Sequence, residues 1–132
     1  MKHPFAELIG LDLAISNSES KNRGSSECSI AVCEKLLNPQ QVVHGAVIYA
    51  LADTGMGAAL YPSLEEGEIC ATIEIKINYY HAVRSGVMRC DTTVVNRGKS
   101  VANMESNVYC DDVLVAKANG HYSIFKPSGN YR

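Results

Sequence analysis

A 19-residue apolar stretch from Val42 to Leu60 contains a single full charge, Asp53. Its length and its Ala and Leu content predict a helix, although three glycines lower the helix propensity. A carboxylate at the centre of a membrane span would be costly, so the stretch predicts a core helix. Burying an unpaired carboxylate is also costly, which makes Asp53 the first candidate for chemistry. The alternative is a structural acid that is hydrogen-bonded to the backbone or to a partner subunit.

The rest of the chain alternates with the period of two that is typical of strands. The candidate strands are Leu11–Ile15, Cys28–Leu36, Ile69–Tyr79, Val87–Asn96, Val101–Cys110 and Val113–Phe125, although Glu34 breaks the alternation of the second. Phe5–Ile9 predicts a helical turn closed by Gly10. Turn residues at 84–86, 97–99 and 111–112 predict short connections, and hence an antiparallel meander for the last four strands. Between Ile69 and Tyr79, odd-numbered residues are expected on one face and even-numbered residues on the other. One long apolar helix beside such a sheet predicts an α+β fold, with the sheet curled around the helix.

The chain has 132 residues, which predicts one domain over 1–132, with an N-terminal helix, strand and loop in 1–27 and a flexible tail in 126–132. A net charge of −2 argues against a nucleic-acid partner. The N-terminus lacks the apolar run of a signal peptide, and the five cysteines form no CxxC pair, which predicts a cytoplasmic protein with reduced thiols. Neither cysteines nor histidines show metal-ligand spacing, so no metal site is expected.

Three residues at the start of the helix are further candidates. Gly45 lies where free backbone N–H groups favour a developing oxyanion, or it is a plain turn glycine. Asn38 either orients a carbonyl or water, or starts an Asn-Pro turn. His44 and Asp53 are nine residues apart, on opposite helix faces and about 13 Å apart along the axis. A shared site would therefore need two subunits; otherwise His44 bonds to the backbone at the helix start.

The order of these motifs resembles the hotdog-fold acyl-CoA thioesterases of the phenylacetic-acid-degradation branch. The matching residues are Asn38-Pro39, His44-Gly45, Leu51-Ala52-Asp53-Thr54, 72–79, 96–100 and 114–116. The resemblance implies a curved antiparallel sheet wrapped around one long helix, in homodimers that commonly pair again. Ala46 stands where the family has a second glycine, and His81-Ala82 replaces a common Arg-Pro.

The resemblance also implies roles. Asp53 would activate water or act as the nucleophile, and the Gly45 amide would polarise the thioester carbonyl, with Asn38 and His44 holding that end. Thr72 would help to orient the water, from the subunit that supplies Asp53. Coenzyme A would enter as part of the substrate, so no separate cofactor is expected.

Phosphate contacts with coenzyme A are expected from a second set of residues: Arg97, Gly98, Lys99 and Arg84. The alternative is a basic turn in solvent. Tyr49, Met56 and Leu60 are candidates for an acyl tunnel or for plain core. The sequence does not predict the acyl group.

Two other functions remain open. One is a hotdog dehydratase or hydratase acting on 3-hydroxyacyl or enoyl thioesters, which would use a histidine with an acid. The other is a non-catalytic module that binds acyl-CoA. The Leu51-Ala52-Asp53 motif favours a thioesterase over the dehydratase, and a mere binder has no need for a carboxylate in its core helix.

Overall fold

The computed structural model describes residues 2–14 and 24–128. It contains helices α1 (Pro4–Ile9) and α2 (Gly45–Leu60) and strands β1 (Leu11–Ala14), β2 (Ser25–Ala31), β3 (Ile69–Tyr79), β4 (Val87–Arg97), β5 (Val101–Cys110) and β6 (Val113–Phe125). Short 3-10 turns, Glu34–Leu36 and Tyr61–Ser63, flank α2. The predicted α+β fold is confirmed. Ile15, most of the predicted polar loop and the last four residues lie outside the described residues.

Helix α2 begins at the predicted glycine and is the centre of the core. His44 is its N-cap residue, and the His44 Nδ1 accepts a hydrogen bond of 2.9 Å from the Ala46 amide. Leu51, Met56 and Leu60 are fully buried. Burial of side chains of this size contributes about 1.5–3 kcal/mol each. Neither helix of the described residues is long and apolar enough to cross a membrane.

The six strands form one antiparallel sheet in the order β1-β2-β4-β5-β6-β3. The meander prediction is confirmed for β4, β5 and β6 and is wrong for β3, which pairs with β6 and not with β4. Residues 80–86 therefore form a crossing, held by backbone hydrogen bonds from Tyr80 to Val115, from Val43 to Val83 and from Val32 to Gly86. This crossing passes beside the start of α2.

Strand β3 contains a β-bulge that the sequence pattern does not reveal. Thr72 pairs with Tyr122 and Glu74 pairs with His121, so Ile73 is the extra residue. One extra residue reverses the faces to which later side chains point. Thr72 therefore lies on the helix side before the bulge, whereas Ile75 and Ile77 pack into the core after it. The prediction of one strict alternation from Ile69 to Tyr79 is wrong for this reason.

Candidate active site

The carboxylate of Asp53 lies in the middle of α2 and is held by two hydroxyl groups. Thr72 Oγ1 on β3 donates to Asp53 Oδ1 over 2.9 Å, and the Tyr122 hydroxyl on β6 donates to the same oxygen. Asp53 is half-buried within this single chain. Its partners are neutral hydroxyl donors rather than a cation.

Tyr122 is the residue of this site that sequence reasoning missed. Its side chain is 4% exposed, and its hydroxyl also lies 2.6 Å from the Asp53 carbonyl oxygen. Burial and the neighbouring carboxylate raise the pKa of Tyr122 well above its ordinary value, so the hydroxyl keeps its proton. The available signal was one polar-tipped residue on an otherwise apolar inward face of β6, since a buried tyrosine hydroxyl usually finds a partner.

The Cys70 thiol is a further titratable group near the carboxylate. Burial raises the pKa of this thiol, and the charge of Asp53 raises it further. The thiol therefore stays neutral at physiological pH. The immediate surroundings of Asp53 thus contain donors and apolar surface, without a second charge among the groups that contact it in residues 2–14 and 24–128.

His44 caps the helix, which was the structural alternative for this residue. Because Nδ1 accepts the Ala46 amide, the single proton of the neutral ring belongs on Nε2, and this tautomer is assigned from the hydrogen bond. Because the His44 ring is exposed, its Nε2–H group is an accessible hydrogen-bond donor at the start of the helix. Capping and a role toward a substrate carbonyl are therefore compatible, and the latter stays a prediction.

Gly45 is the first residue of α2, and its amide has no hydrogen-bond acceptor among the described residues. Its carbonyl oxygen accepts a hydrogen bond of 2.8 Å from the Tyr79 hydroxyl. A pocket of about 300 Å³ opens beside this glycine, lined by Val43, Gly45, Ile48, Tyr79, Tyr80, His81, Ala82 and Val83. Burial, with a contribution from Tyr49, raises the pKa of Tyr79, so its hydroxyl remains a donor. Gly45 therefore lies beside an opening that is lined in part by the aromatic side chains of Tyr79, Tyr80 and His81.

Asn38 organises the loop that leads into the helix. Its Oδ1 accepts hydrogen bonds from the Gln40 amide over 2.9 Å and from the Val42 amide over 3.3 Å. Its backbone N–H donates to the Val42 carbonyl over 2.7 Å. The Asn38 Oδ1 atom therefore has the turn-forming role that was the alternative for this residue. A role for the side-chain NH₂ group in orienting a carbonyl or water stays a prediction.

Of the four residues predicted to contact coenzyme A, two are hydrogen-bonded within the chain and two are exposed. The Arg97 guanidinium makes five hydrogen bonds, to Ser63, Glu68, Gly98 and Lys99. A hydrogen bond from the Glu65 amide and the Arg97 guanidinium lower the pKa of Glu68. The Gly98 amide donates to the Val101 carbonyl and closes the hairpin. Both groups are therefore already bound within the chain, which leaves the exposed Lys99 and Arg84 as the phosphate candidates.

The three candidates for an acyl tunnel also differ in their exposure. Met56 and Leu60 are fully buried core residues, whereas Tyr49 on the same helix is exposed and lies near Tyr79. Of the two departures from the family pattern, His81-Ala82 lines the pocket at Gly45, and Ala46 is exposed at the helix start. Both departures therefore lie at the end of the site where the carbonyl is expected.

One chain brings together only part of the predicted site. Thr72 and Asp53 are in contact, as predicted for residues of one subunit. Gly45 and Asp53 are eight residues apart on one helix, about 12 Å along its axis. No hydrogen bond joins Asp53 to His44 or Gly45 within the described part of the chain. For His44, which is the N-cap residue of the same helix, a site shared with Asp53 of another subunit stays a prediction.

A sequence model of the Thioesterase superfamily matches residues 40–117, a range that contains Gly45, Asp53 and Thr72. The chain belongs to the thioesterase superfamily. Among solved structures of similar fold is the protein PA5202 from Pseudomonas aeruginosa, with 33% identity, a TM-score of 0.85 and coverage of 95% of this chain and 96% of that one. The phenylacetic acid degradation protein PaaI from Thermus thermophilus has 20% identity, a TM-score of 0.81 and coverage of 92% and 98%, which shows the shared fold. The predicted hotdog architecture is confirmed.

Related sequences in this superfamily carry hydrolase names. A Haemophilus influenzae protein named as a proposed esterase is 33% identical over 75 residues, or 57% of this chain, and the chain spans only 54% of that relative's length. The 1,4-dihydroxy-2-naphthoyl-CoA hydrolase of Listeria monocytogenes is 26% identical over 77% of this chain and 79% of its own length. These names describe the relatives, and this chain shares the superfamily with them.

Proposed function

We propose that this protein hydrolyses an acyl-CoA or aryl-CoA thioester to the free acid and coenzyme A. The observation that carries this proposal is one helix that presents a hydroxyl-anchored carboxylate, Asp53, and an amide at Gly45 with no acceptor among residues 2–14 and 24–128. A base and an oxyanion donor are the two groups that this hydrolysis needs. The name of the Listeria relative supports a coenzyme A thioester as the substrate class.

In the proposed reaction, Asp53 accepts a proton from water while the water oxygen forms a bond to the thioester carbonyl carbon. The carbonyl oxygen becomes an oxyanion next to the Gly45 amide and the Nε2–H group of His44. When this tetrahedral intermediate collapses, the C–S bond breaks and the coenzyme A thiolate leaves. The proton held by Asp53 then passes to the thiolate or to solvent, which restores the carboxylate.

A homodimer completes the proposed site. Strand β3 lies at the edge of the sheet, where its free backbone groups are available for pairing with another strand. Large apolar side chains on and beside it are exposed: Ile73 at 57%, Tyr79 at 48% and Tyr80 at 49%. A two-fold axis beside β3 would bring Asp53 of one subunit toward Gly45 of the other. We propose this dimer, and its further pairing into a tetramer, as the working assembly.

The compartment and the phosphate contacts are also proposals. All five cysteines are unpaired, which supports a reducing cytoplasm. Lys99 and Arg84 would contact the nucleotide phosphates of coenzyme A, since Arg97 is bound to Ser63 and Glu68.

Thiol release from a panel of short, medium, long and aryl acyl-CoAs tests the function. Asp53→Asn keeps the shape of the side chain and removes the base, so kcat on the best substrate is expected to fall about 10²- to 10⁴-fold. The matched control is Asp91→Asn, which removes a carboxylate on the far side of the sheet, paired with Arg89. This control is expected to hydrolyse at the wild-type rate.

Two results would oppose the proposal. Wild-type protein that binds acyl-CoA but releases no thiol from any member of the panel would indicate a binding module. Dehydration of 3-hydroxyacyl-CoA without hydrolysis would indicate a dehydratase. Melting curves and light scattering on each variant establish that fold and assembly are unchanged.

A further inference from the structure

The two oxygens of the Asp53 carboxylate have different surroundings. Oδ1 accepts hydrogen bonds from both Thr72 and Tyr122. Oδ2 has no donor among residues 2–14 and 24–128. A carboxylate that can turn about its last side-chain bond presents either oxygen, so two donors on one oxygen fix which one points away.

Tyr122 fixes the main chain of Asp53 as well as its side chain. The same hydroxyl lies within hydrogen-bond distance of the Asp53 carbonyl oxygen, at 2.6 Å. Because the ring is buried between the sheet and the helix, the hydroxyl has little freedom to follow a moving carboxylate. Thr72 contributes the second donor from β3, immediately before the bulge.

Neighbouring helix carbonyls are held in the same manner by other strands. Ser106 on β5 donates to the Ala52 carbonyl over 3.2 Å. On β2, Cys28 donates to Leu51 over 3.6 Å and Ser26 to Gly55 over 2.7 Å. Side chains from three strands thus bind four carbonyls within five residues of α2. These bonds add fixed polar contacts between α2 and the sheet to the packing of its buried apolar side chains.

We propose that Tyr122 is a positioning residue that, with Thr72, reserves Oδ1 as an anchor and leaves Oδ2 as the oxygen that takes the proton from water. This inference rests on the proposed role of Asp53 as the base. In this role Tyr122 acts through Asp53 and not on the substrate. Its effect is to hold Oδ2 in one direction.

Tyr122→Phe removes the hydroxyl and keeps the ring. The variant is expected to lower kcat about 10- to 100-fold, with KM changed by less than about twofold, since the lost contact acts on the base and not on the substrate. The loss should therefore fall on kcat and not on KM. A purely structural role would leave both kcat and KM of the folded variant at the wild-type values.

Tyr109→Phe is the matched control, because Tyr109 lies on the outer face of the sheet under Arg89. It should retain the wild-type kcat and KM. Thr72→Val, at an exposed position, removes the other donor and should lower kcat with little change in KM, even if Tyr122→Phe does not fold.

The outcomes separate this inference from the proposed function. If Asp53→Asn is inactive and Tyr122→Phe has the wild-type kcat, the positioning role alone is overturned. If Asp53→Asn is fully active, the proposed base and this inference are overturned together. If Tyr122→Phe unfolds, a Thr72→Val variant with the wild-type kcat overturns the anchoring of Oδ1.

Discussion

The Gly45 amide can be removed without removing the helix start. Proline is favoured at the first position of a helix, and the residue before it must be extended, as His44 already is, with φ −62° and ψ 135°. Gly45→Pro should therefore fold and lack one oxyanion donor. We expect kcat for thioester hydrolysis to fall about 10²- to 10³-fold, measured by thiol release.

Gly45→Ala is the control, since it adds the same first carbon and keeps the N–H. That carbon would lie 3.3 Å from the Tyr79 hydroxyl, a contact that the end of a side chain can relieve. The alanine variant should retain most of the wild-type kcat. Equal losses in the proline and alanine variants would show that space beside Tyr79, rather than the amide, is what matters.

A site residue can be predicted from the sequence where its chemical character differs from that of the neighbouring residues. Asp53 was found because it is the lone charge of an apolar segment. Tyr122 was not, because an inward tyrosine in an alternating strand has the same pattern as a core residue until its hydroxyl is seen on the carboxylate. Arg97 was instead predicted to be available for a ligand. A basic turn in the sequence does not reveal that the side chain is hydrogen-bonded to Ser63 and Glu68.

At the level of elements, the close approach of α2 to the sheet depends on Gly55. A methyl group at this position would lie 2.5 Å from Thr92 Oγ1, within the buried cluster that also contains Cys28 and Cys90. Gly55→Ala is therefore expected to destabilise the protein by about 1–3 kcal/mol despite the better helix propensity of alanine. Chemical denaturation followed by circular dichroism measures the change.

Gly57 provides the matched control on the same helix. A methyl group there would lie 3.8 Å from the Tyr122 ring, which is an ordinary contact. Gly57→Ala should therefore stabilise the protein by about 0.5–1 kcal/mol, the usual gain in a helix interior. Loss of stability of the same size in both variants would mean that Gly55 has no special packing role.

The positions of the helix and strands could be predicted from the sequence, but the β-bulge and one strand pairing could not. Alternation and turn residues are local signals, and they located the strands and α2. The bulge at Ile73 and the pairing of β3 with β6 depend on contacts between distant segments. A short connection such as 80–86 is compatible with a hairpin and with a crossing, so its sequence does not choose between them.

For the whole molecule, the separation of Gly45 and Asp53 on one helix is the main constraint. A rigid helix holds them about 12 Å apart in every copy, which is too far for one carbonyl carbon to contact both. Two copies related by a two-fold axis would form two equivalent sites, each with Asp53 from one subunit and Gly45 from the other. Helical geometry predicts such a division for His44 and Asp53, and the family resemblance implies it for Gly45 and Asp53. Both remain predictions for the assembly.

Mixed dimers test directly whether each active site is shared between two subunits. Asp53→Asn and Gly45→Pro chains are each expected to be inactive alone. In a mixed dimer, one site would carry both defects and the other neither, so the purified heterodimer should have about half of the active sites of the wild-type dimer. The measurement is thiol release by the co-purified, doubly tagged heterodimer, with each homodimer as control. If both residues act within one chain, every site in the mixed dimer carries one defect, and activity stays at the level of the homodimers.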